Sequence, residues 1–216
     1  MRDTFVKTLL EIAKKDKNVY IVTGDLGFGV LRPFWEELPD QIINAGIAEQ
    51  NMTTVAAGMA LEGKTVFTYS IGNFPTIRCL EQIRNDCAYH HANVKIVCVG
   101  GGFVYGSLGM SHHATEDIAL LRALPDVTVV CPGDLVEAEE ATKAIANYPG
   151  TCYLRLGRGV CRCRLYGVFI AARRKKLAMA RVWLRADSAV FRGTLRRGKS
   201  ADDGYPQRYF GRACVF

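Results

Sequence analysis

Residues 41–70 read QIINAGIAEQNMTTVAAGMALEGKTVFTYS, and this stretch holds the alternation on which the fold turns. A short β-branched run at 41–45 meets Gly46. Ala48, Met52, Val55, Ala56 and Met59 then recur at helical spacing across 48–62, and a second β-branched run follows at 65–70. Parallel strands need a crossover of about a dozen residues or more, and a helix of this length supplies one. The same pattern extends in both directions. Upstream, residues 2–15 put Phe5, Leu9, Ile12 and Ala13 on one stripe of a helix, and 18–24 is a buried strand ending at a glycine. Downstream, 94–100, 127–131 and 152–156 read as strands, and 32–38, 75–90, 116–124 and 134–147 read as helices. Six apolar strands separated by helices predict an α/β fold, a six-stranded, mainly parallel sheet with helices on both faces. Ligands of such sheets sit beyond the carboxyl ends of the strands. That directs attention to the loops at 23–29, 44–51, 69–75 and 100–115.

The chain has 216 residues, 49% of them apolar and 23% charged, which excludes disorder throughout. Its longest apolar runs, such as 127–131 and 167–172, fall far short of the roughly 20 residues a membrane-spanning helix needs. Residues 1–16 mix charges every few positions and lack a secretory pattern, so a cytoplasmic address is expected. Eight cysteines without a Cys-x-x-Cys pair read as reduced thiols. The net charge of +7 is unevenly placed: residues 1–159 hold 14 Lys plus Arg against 18 Asp plus Glu, and residues 160–216 hold 14 against 3. The expected organisation is therefore one domain over 1–159 and an Arg- and Cys-rich tail over 160–216. That tail is open to three readings. It is a nucleic-acid arm that neutralises phosphates, a solvated basic extension, or, as its compositional break favours, translation out of frame.

Several residues in the strand-end loops carry the chemistry. Glu49 falls in the first turn of the 48–62 helix, where unpaired amides and the helix dipole favour a carboxylate, so a plain helix-start charge is one reading of it. Its small neighbours Gly46 and Ala48 allow another group to approach. Phe74 and Tyr69 lie at a strand end, where an aromatic is either core or a stacking platform. His112 and His113 follow a glycine-rich stretch, 100–109, which suggests backbone lying close to a ligand. Consecutive histidines point apart and no third ligand stands nearby, so no metal site is expected from them. Asp117 reads as a helix-start charge, and His90 and His91, at a helix end, read as structural.

The motif Gly46-Ile47-Ala48-Glu49-Gln50 resembles the signature of the pyrimidine-binding domain in the transketolase family of thiamine-diphosphate enzymes, and looks closest to the C-terminal section of split, two-subunit transketolases. Support comes in the expected order from Thr23-Gly24-Asp25-Leu26-Gly27, from Gly72-Asn73-Phe74-Pro75 with residues 78–85 following, from residues 109–117, and from Leu124-Pro125 ahead of Cys131-Pro132-Gly133-Asp134. The resemblance covers residues 1 to about 159. It implies that Glu49 bonds a ring nitrogen of the cofactor's aminopyrimidine and shares a proton with it. The resulting imino tautomer then removes the thiazolium proton and creates the nucleophilic ylid, a role that needs a carboxyl able to donate and accept. It further implies that Phe74, or Tyr69, stacks on the aminopyrimidine, with Asp25 and Ile47 as further cofactor contacts. His112 is implied to hydrogen-bond substrate oxygens at the reacting centre, with Ser111, His113 and Arg78 as further substrate-side candidates.

The Gly-Asp-Gly…Asn signature that carries magnesium and diphosphate in this family does not occur: Leu26 follows Gly24-Asp25, and no other Gly-Asp-Gly is present. The resemblance thus implies a separate N-terminal-section partner that holds Mg2+ and the diphosphate, self-association in the assembled enzyme, and no activity without that partner. The implied reaction is two-carbon ketol transfer between sugar phosphates. Split relatives continue into another α/β domain, which residues 160–216 do not resemble. The alternatives are a 1-deoxyxylulose-5-phosphate synthase-like protein or a 2-oxo acid dehydrogenase beta-type subunit, a non-catalytic truncated remnant, and a nucleic-acid-binding protein working through its tail. Ser111-His112-His113 and Gly72-Asn73-Phe74-Pro75 favour the split transketolase.

Overall fold

The computed structural model describes residues 1–157; the basic tail, and with it every reading of residues 160–216, lies outside the described residues. Helix α1 (Arg2–Ala13) leads into β1 (Val19–Thr23), α2 (Arg32–Glu37) and β2 (Ile42–Asn44). Helix α3 (Glu49–Leu61) crosses over to β3 (Thr65–Ile71). A helical segment, α4, then passes from a 3-10 turn (Ile77–Cys79) through a single α turn (Leu80–Gln82) into a π-helical stretch (Ile83–Ala88), where the sequence predicts one continuous helix. Strand β4 (Val94–Val99), α5 (Asp117–Ala123), β5 (Val127–Val130), α6 (Leu135–Ala146) and β6 (Thr151–Leu156) complete the described chain.

All six predicted strands form, and every pairing between them is parallel, in the order β2-β1-β3-β4-β6-β5. Every residue of β4 is buried, which is why its sequence, Lys95 apart, reads as an apolar run rather than an alternation. Helices α1, α2 and α6 pack Phe5, Leu9, Phe34 and Ile145 against Phe67, Tyr69 and Leu154 on one sheet face. Helices α3, α4 and α5 pack Met52, Ala56, Ile83 and Leu121 against Val22, Val66 and Tyr153 on the other. Burial of such apolar side chains is the dominant favourable contribution, roughly 1.5–3 kcal/mol for each fully buried large one.

Two polar details keep the framework in register. At the start of α6, Asp134 Oδ1 accepts from the Glu137 amide at 2.8 Å, pairing one that the helix start leaves free, and Glu137 Oε2 accepts from the Gly133 amide just ahead of the helix at 2.7 Å. Lys95 is fully buried at the beginning of β4 and donates from Nζ to the carbonyls of Tyr148 (2.6 Å) and Gly150 (2.5 Å), beyond the end of α6. Burial pushes the Lys95 ammonium below its usual range. The chain leaves β1 towards β2 on one side and β3 towards β4 on the other, so the strand order reverses between β1 and β3. Crevices at such reversals are where open α/β sheets bind ligands.

Candidate functional site

Four loops reach the carboxyl-end rim of the sheet near that reversal. The first two are joined by Asn44, at the end of β2. Its Oδ1 accepts from the amides of Asp25 and Gly46, each at 3.0 Å, and its Nδ2 donates to Asp25 Oδ1 at 2.9 Å. Asp25 adopts a positive φ of 60°, which a short polar side chain tolerates. Its carboxylate is thus bonded to the neighbouring loop. Ile47 stands 81% exposed just before α3.

Glu49 is the first residue of α3 and only 3% exposed. Backbone crowds it closely on the β1 side, since a Cβ on Gly24 would lie 3.2 Å from Glu49 Cγ. Its carboxylate meets Arg78, whose Nη1 donates to Glu49 Oε2 at 2.8 Å. Gln50 Nε2 donates to the Arg78 carbonyl at 3.2 Å, fixing the turn that carries the arginine against α3. The Arg78 guanidinium also lies over the Phe74 ring, 4.4 Å from its centroid. Phe74 in turn meets the His112 imidazole edge-on, with ring centroids 5.0 Å apart. Glu49, Arg78, Phe74 and His112, from three different loops, therefore form one run of contacts.

The His112 loop is seated by backbone. Gly72 has a positive φ of 54°, and a Cβ there would fall 2.4 Å from the His112 carbonyl oxygen, so only glycine allows the two loops to approach this closely. Ser111 Oγ lies 3.0 Å from His112 Nδ1. His113 points elsewhere, with Nε2 3.3 Å from the Gly106 carbonyl and its ring against Phe103. His90 and His91 are exposed beyond α4, away from these contacts.

Tyr69 does not join this run. Alternate residues of a strand face opposite sides of the sheet, and Tyr69 belongs to the core face of α1, where its ring stacks on Phe5. There it lines a cavity of about 670 Å³ with Arg2, Leu26, Gly27 and Tyr105. Burial pushes its hydroxyl pKa up.

Asp117 begins α5, as the sequence reading expects, and it is fully buried there. Its Oδ2 accepts from Arg155 Nε at 2.8 Å and from the Tyr153 hydroxyl in a short contact. Burial, reinforced by Cys98 and Asp117, pushes the Tyr153 hydroxyl well up, so it donates as a neutral group. Arg155 Nη2 donates onward to the Ala114 carbonyl at 3.2 Å, and Ala114 exchanges two backbone bonds with Gly102. Both ends of the His112 loop are thereby tied to β6. A charged residue inside the apolar run 152–156 was the available signal for this anchor, because a strand buries a cation only with a partner. Among the described residues, no cluster of three or more His, Cys, Asp or Glu could hold a metal ion, and no helix is long and apolar enough to cross a membrane.

Residues 1–163 match the family described as transketolase, pyrimidine binding domain. This chain belongs to that family. Among relatives of this pyrimidine-binding domain, an apulose-4-phosphate transketolase subunit of Phocaeicola vulgatus is 43% identical over 158 residues, spanning 73% of this chain and 51% of that protein. A putative transketolase C-terminal section of Methanocaldococcus jannaschii is 42% identical over 159 residues, with 73% and 50% covered. The chain thus spans about half the length of these relatives. Among solved structures, one titled "Split gene transketolase, inactive beta4 tetramer" superposes with a TM-score of 0.65 at 36% identity, covering 73% of this chain and 51% of that one.

Proposed function

We propose that this chain supplies the pyrimidine half of a thiamine-diphosphate site for two-carbon ketol transfer between sugar phosphates, completed by a separate diphosphate-binding polypeptide. The observation that carries the reading is the buried Glu49 carboxyl at the start of α3, in one contact run with a flat aromatic face and an imidazole beside the sheet's reversal point. The residues suit such a cofactor. Gly24 and Gly72 let their loops close against Glu49 and His112 where a Cβ would intrude, which brings those two residues to the same rim, and Phe74 offers a ring for stacking. When bound, thiamine diphosphate supplies a carbon acid whose conjugate base adds to ketose carbonyls.

Glu49 holds and returns a proton through its carboxyl oxygens, towards the aminopyrimidine side. Phe74 would orient that ring by stacking, with Ile47 and Asp25 as further contacts. His112, backed by Ser111 Oγ at 3.0 Å, donates to substrate oxygen. Arg78, held here by Glu49, and His113, held by the Gly106 carbonyl, are the further substrate-side candidates and would have to leave those partners to reach a substrate anion. Tyr69 takes no part in this scheme. Mg2+ and the diphosphate fall to the partner chain, self-association to the assembled enzyme, and both chains to the cytoplasm. The relatives named as a transketolase subunit and as a C-terminal section support a split enzyme.

The experiment is co-expression of the 216-residue chain with a candidate diphosphate-binding partner, followed by a ketol-transfer assay. Activity in the mixture and in neither chain alone is the expected result; cofactor-dependent activity of this chain by itself contradicts it. A second reading has one observation in its favour. The 1-deoxy-D-xylulose-5-phosphate synthase of Desulfotalea psychrophila is 33% identical over 156 residues. Release of CO2 from pyruvate by the assembled enzyme would favour that reading.

A further inference from the structure

The two groups assigned to the cofactor's pyrimidine are both already engaged by a side chain of this protein. Arg78 Nη1 donates to Glu49 Oε2 at 2.8 Å, and the same guanidinium lies 4.4 Å over the Phe74 ring. A guanidinium is flat, carries N–H donors in its plane and stacks on aromatic faces. Those are the features by which an aminopyrimidine would bond a carboxyl and stack on a ring. We propose that Arg78 is an internal competitor for the pyrimidine place, closing the site in the free subunit until cofactor and partner displace it. This inference rests on the cofactor reading above.

The contact has the properties of a displaceable latch. The Arg78 side chain is 45% exposed whereas that of Glu49 is 4% exposed, so the arginine can leave into water while the carboxylate stays fixed. An ion pair with one partly exposed member is worth little, because solvent screens it. A cation over an aromatic face at such a site adds a similarly small amount. Arg78 sits on a 3-10 turn at the head of a segment that becomes π-helical, and π turns inside helices occur frequently at functional sites. The Gln50 bond holds only its backbone carbonyl, so releasing the side chain breaks the Glu49 and Phe74 contacts and leaves the turn in place.

The test is thiamine-diphosphate affinity of the full chain assembled with its diphosphate-binding partner, for wild type, Arg78→Met and Arg78→Lys. Methionine keeps the apolar stem and removes the competing charge and plane; lysine keeps the charge and loses the plane. Arg78→Met is expected to bind about three- to tenfold more tightly, the size of one screened ion pair plus one cation–π contact, with Arg78→Lys in between. Unchanged or weaker binding by Arg78→Met, when wild type binds, overturns the latch and leaves the cofactor reading standing. Absence of binding by all three forms overturns both. Thermal midpoints of the three chains establish that any difference is not a loss of fold.

Discussion

Replacing Asp117 by alanine removes the acceptor shared by Tyr153 and Arg155, and its cost follows from what each donor loses. The Tyr153 hydroxyl is fully buried, so leaving it unpaired costs about 1–3 kcal/mol. Arg155 keeps 26% side-chain exposure, so water repairs part of its loss, and about 1 kcal/mol is a fair share. The sum, about 3 kcal/mol, sits at the low end of the range for breaking a buried ion pair. It is a sizeable part of a stability of roughly 5–15 kcal/mol. Urea unfolding should show the midpoint falling with an unchanged slope, and thermal unfolding a drop on the order of 10 °C for a domain of this size. Asp117→Asn, which keeps an acceptor, should lose about half as much. Amide exchange at Ala114 and Gly102 should quicken in both variants, because Arg155 reaches the Ala114 carbonyl. An unfolding free energy for Asp117→Ala within about 0.5 kcal/mol of wild type, the scatter of ordinary surface substitutions, would refute the anchoring by Asp117.

Gly72→Ala should cost about 2–4 kcal/mol, combining a positive φ with a methyl group pushed into the His112 carbonyl, and His112 ring resonances should shift in NMR spectra of the variant. Stability should fall above about pH 9. Burial raises the Cys79 thiol to about 11 and the Cys87 and Cys98 thiols to about 12, so between pH 9 and those values the unfolded chain loses protons that the folded chain retains. Each such thiol then contributes up to about 1.4 kcal/mol of loss per pH unit. Urea midpoints between pH 8 and 10.5 check it: the Cys87→Ala chain should decline less steeply than wild type, and parallel curves would count against the linkage.

The fold was legible because each strand is an apolar run bounded by glycines or polar turns, and each crossover has helical spacing. The resemblance carried the carboxyl ends of β1–β4, where Glu49, Phe74 and His112 stand in order. Periodicity could not show that Tyr69 faces the α1 side, since face depends on register, and a strand buried on both sides hides its register. The same blindness applies to Asp117. A carboxylate at a helix start looks identical in sequence whether solvent or a partly buried arginine receives it, and Arg155 lies 38 residues away. The break of α4 into 3-10, α and π turns left no compositional trace either. Its first turn places Arg78 against Glu49, a contact between residues 29 apart that periodicity does not report. Lys95 was readable only as an exception inside an apolar strand.

The central claim is that the Glu49 carboxyl exchanges a proton with the cofactor's aminopyrimidine once a second polypeptide holds the diphosphate. Hydrogen–deuterium exchange at the thiazolium carbon, followed by NMR in the reconstituted complex, measures that step directly. Wild type should exchange quickly, and Glu49→Gln, isosteric but unable to accept the proton, should be slower by about a hundredfold or more while keeping its fold. Exchange in Glu49→Gln as fast as in wild type would contradict the account.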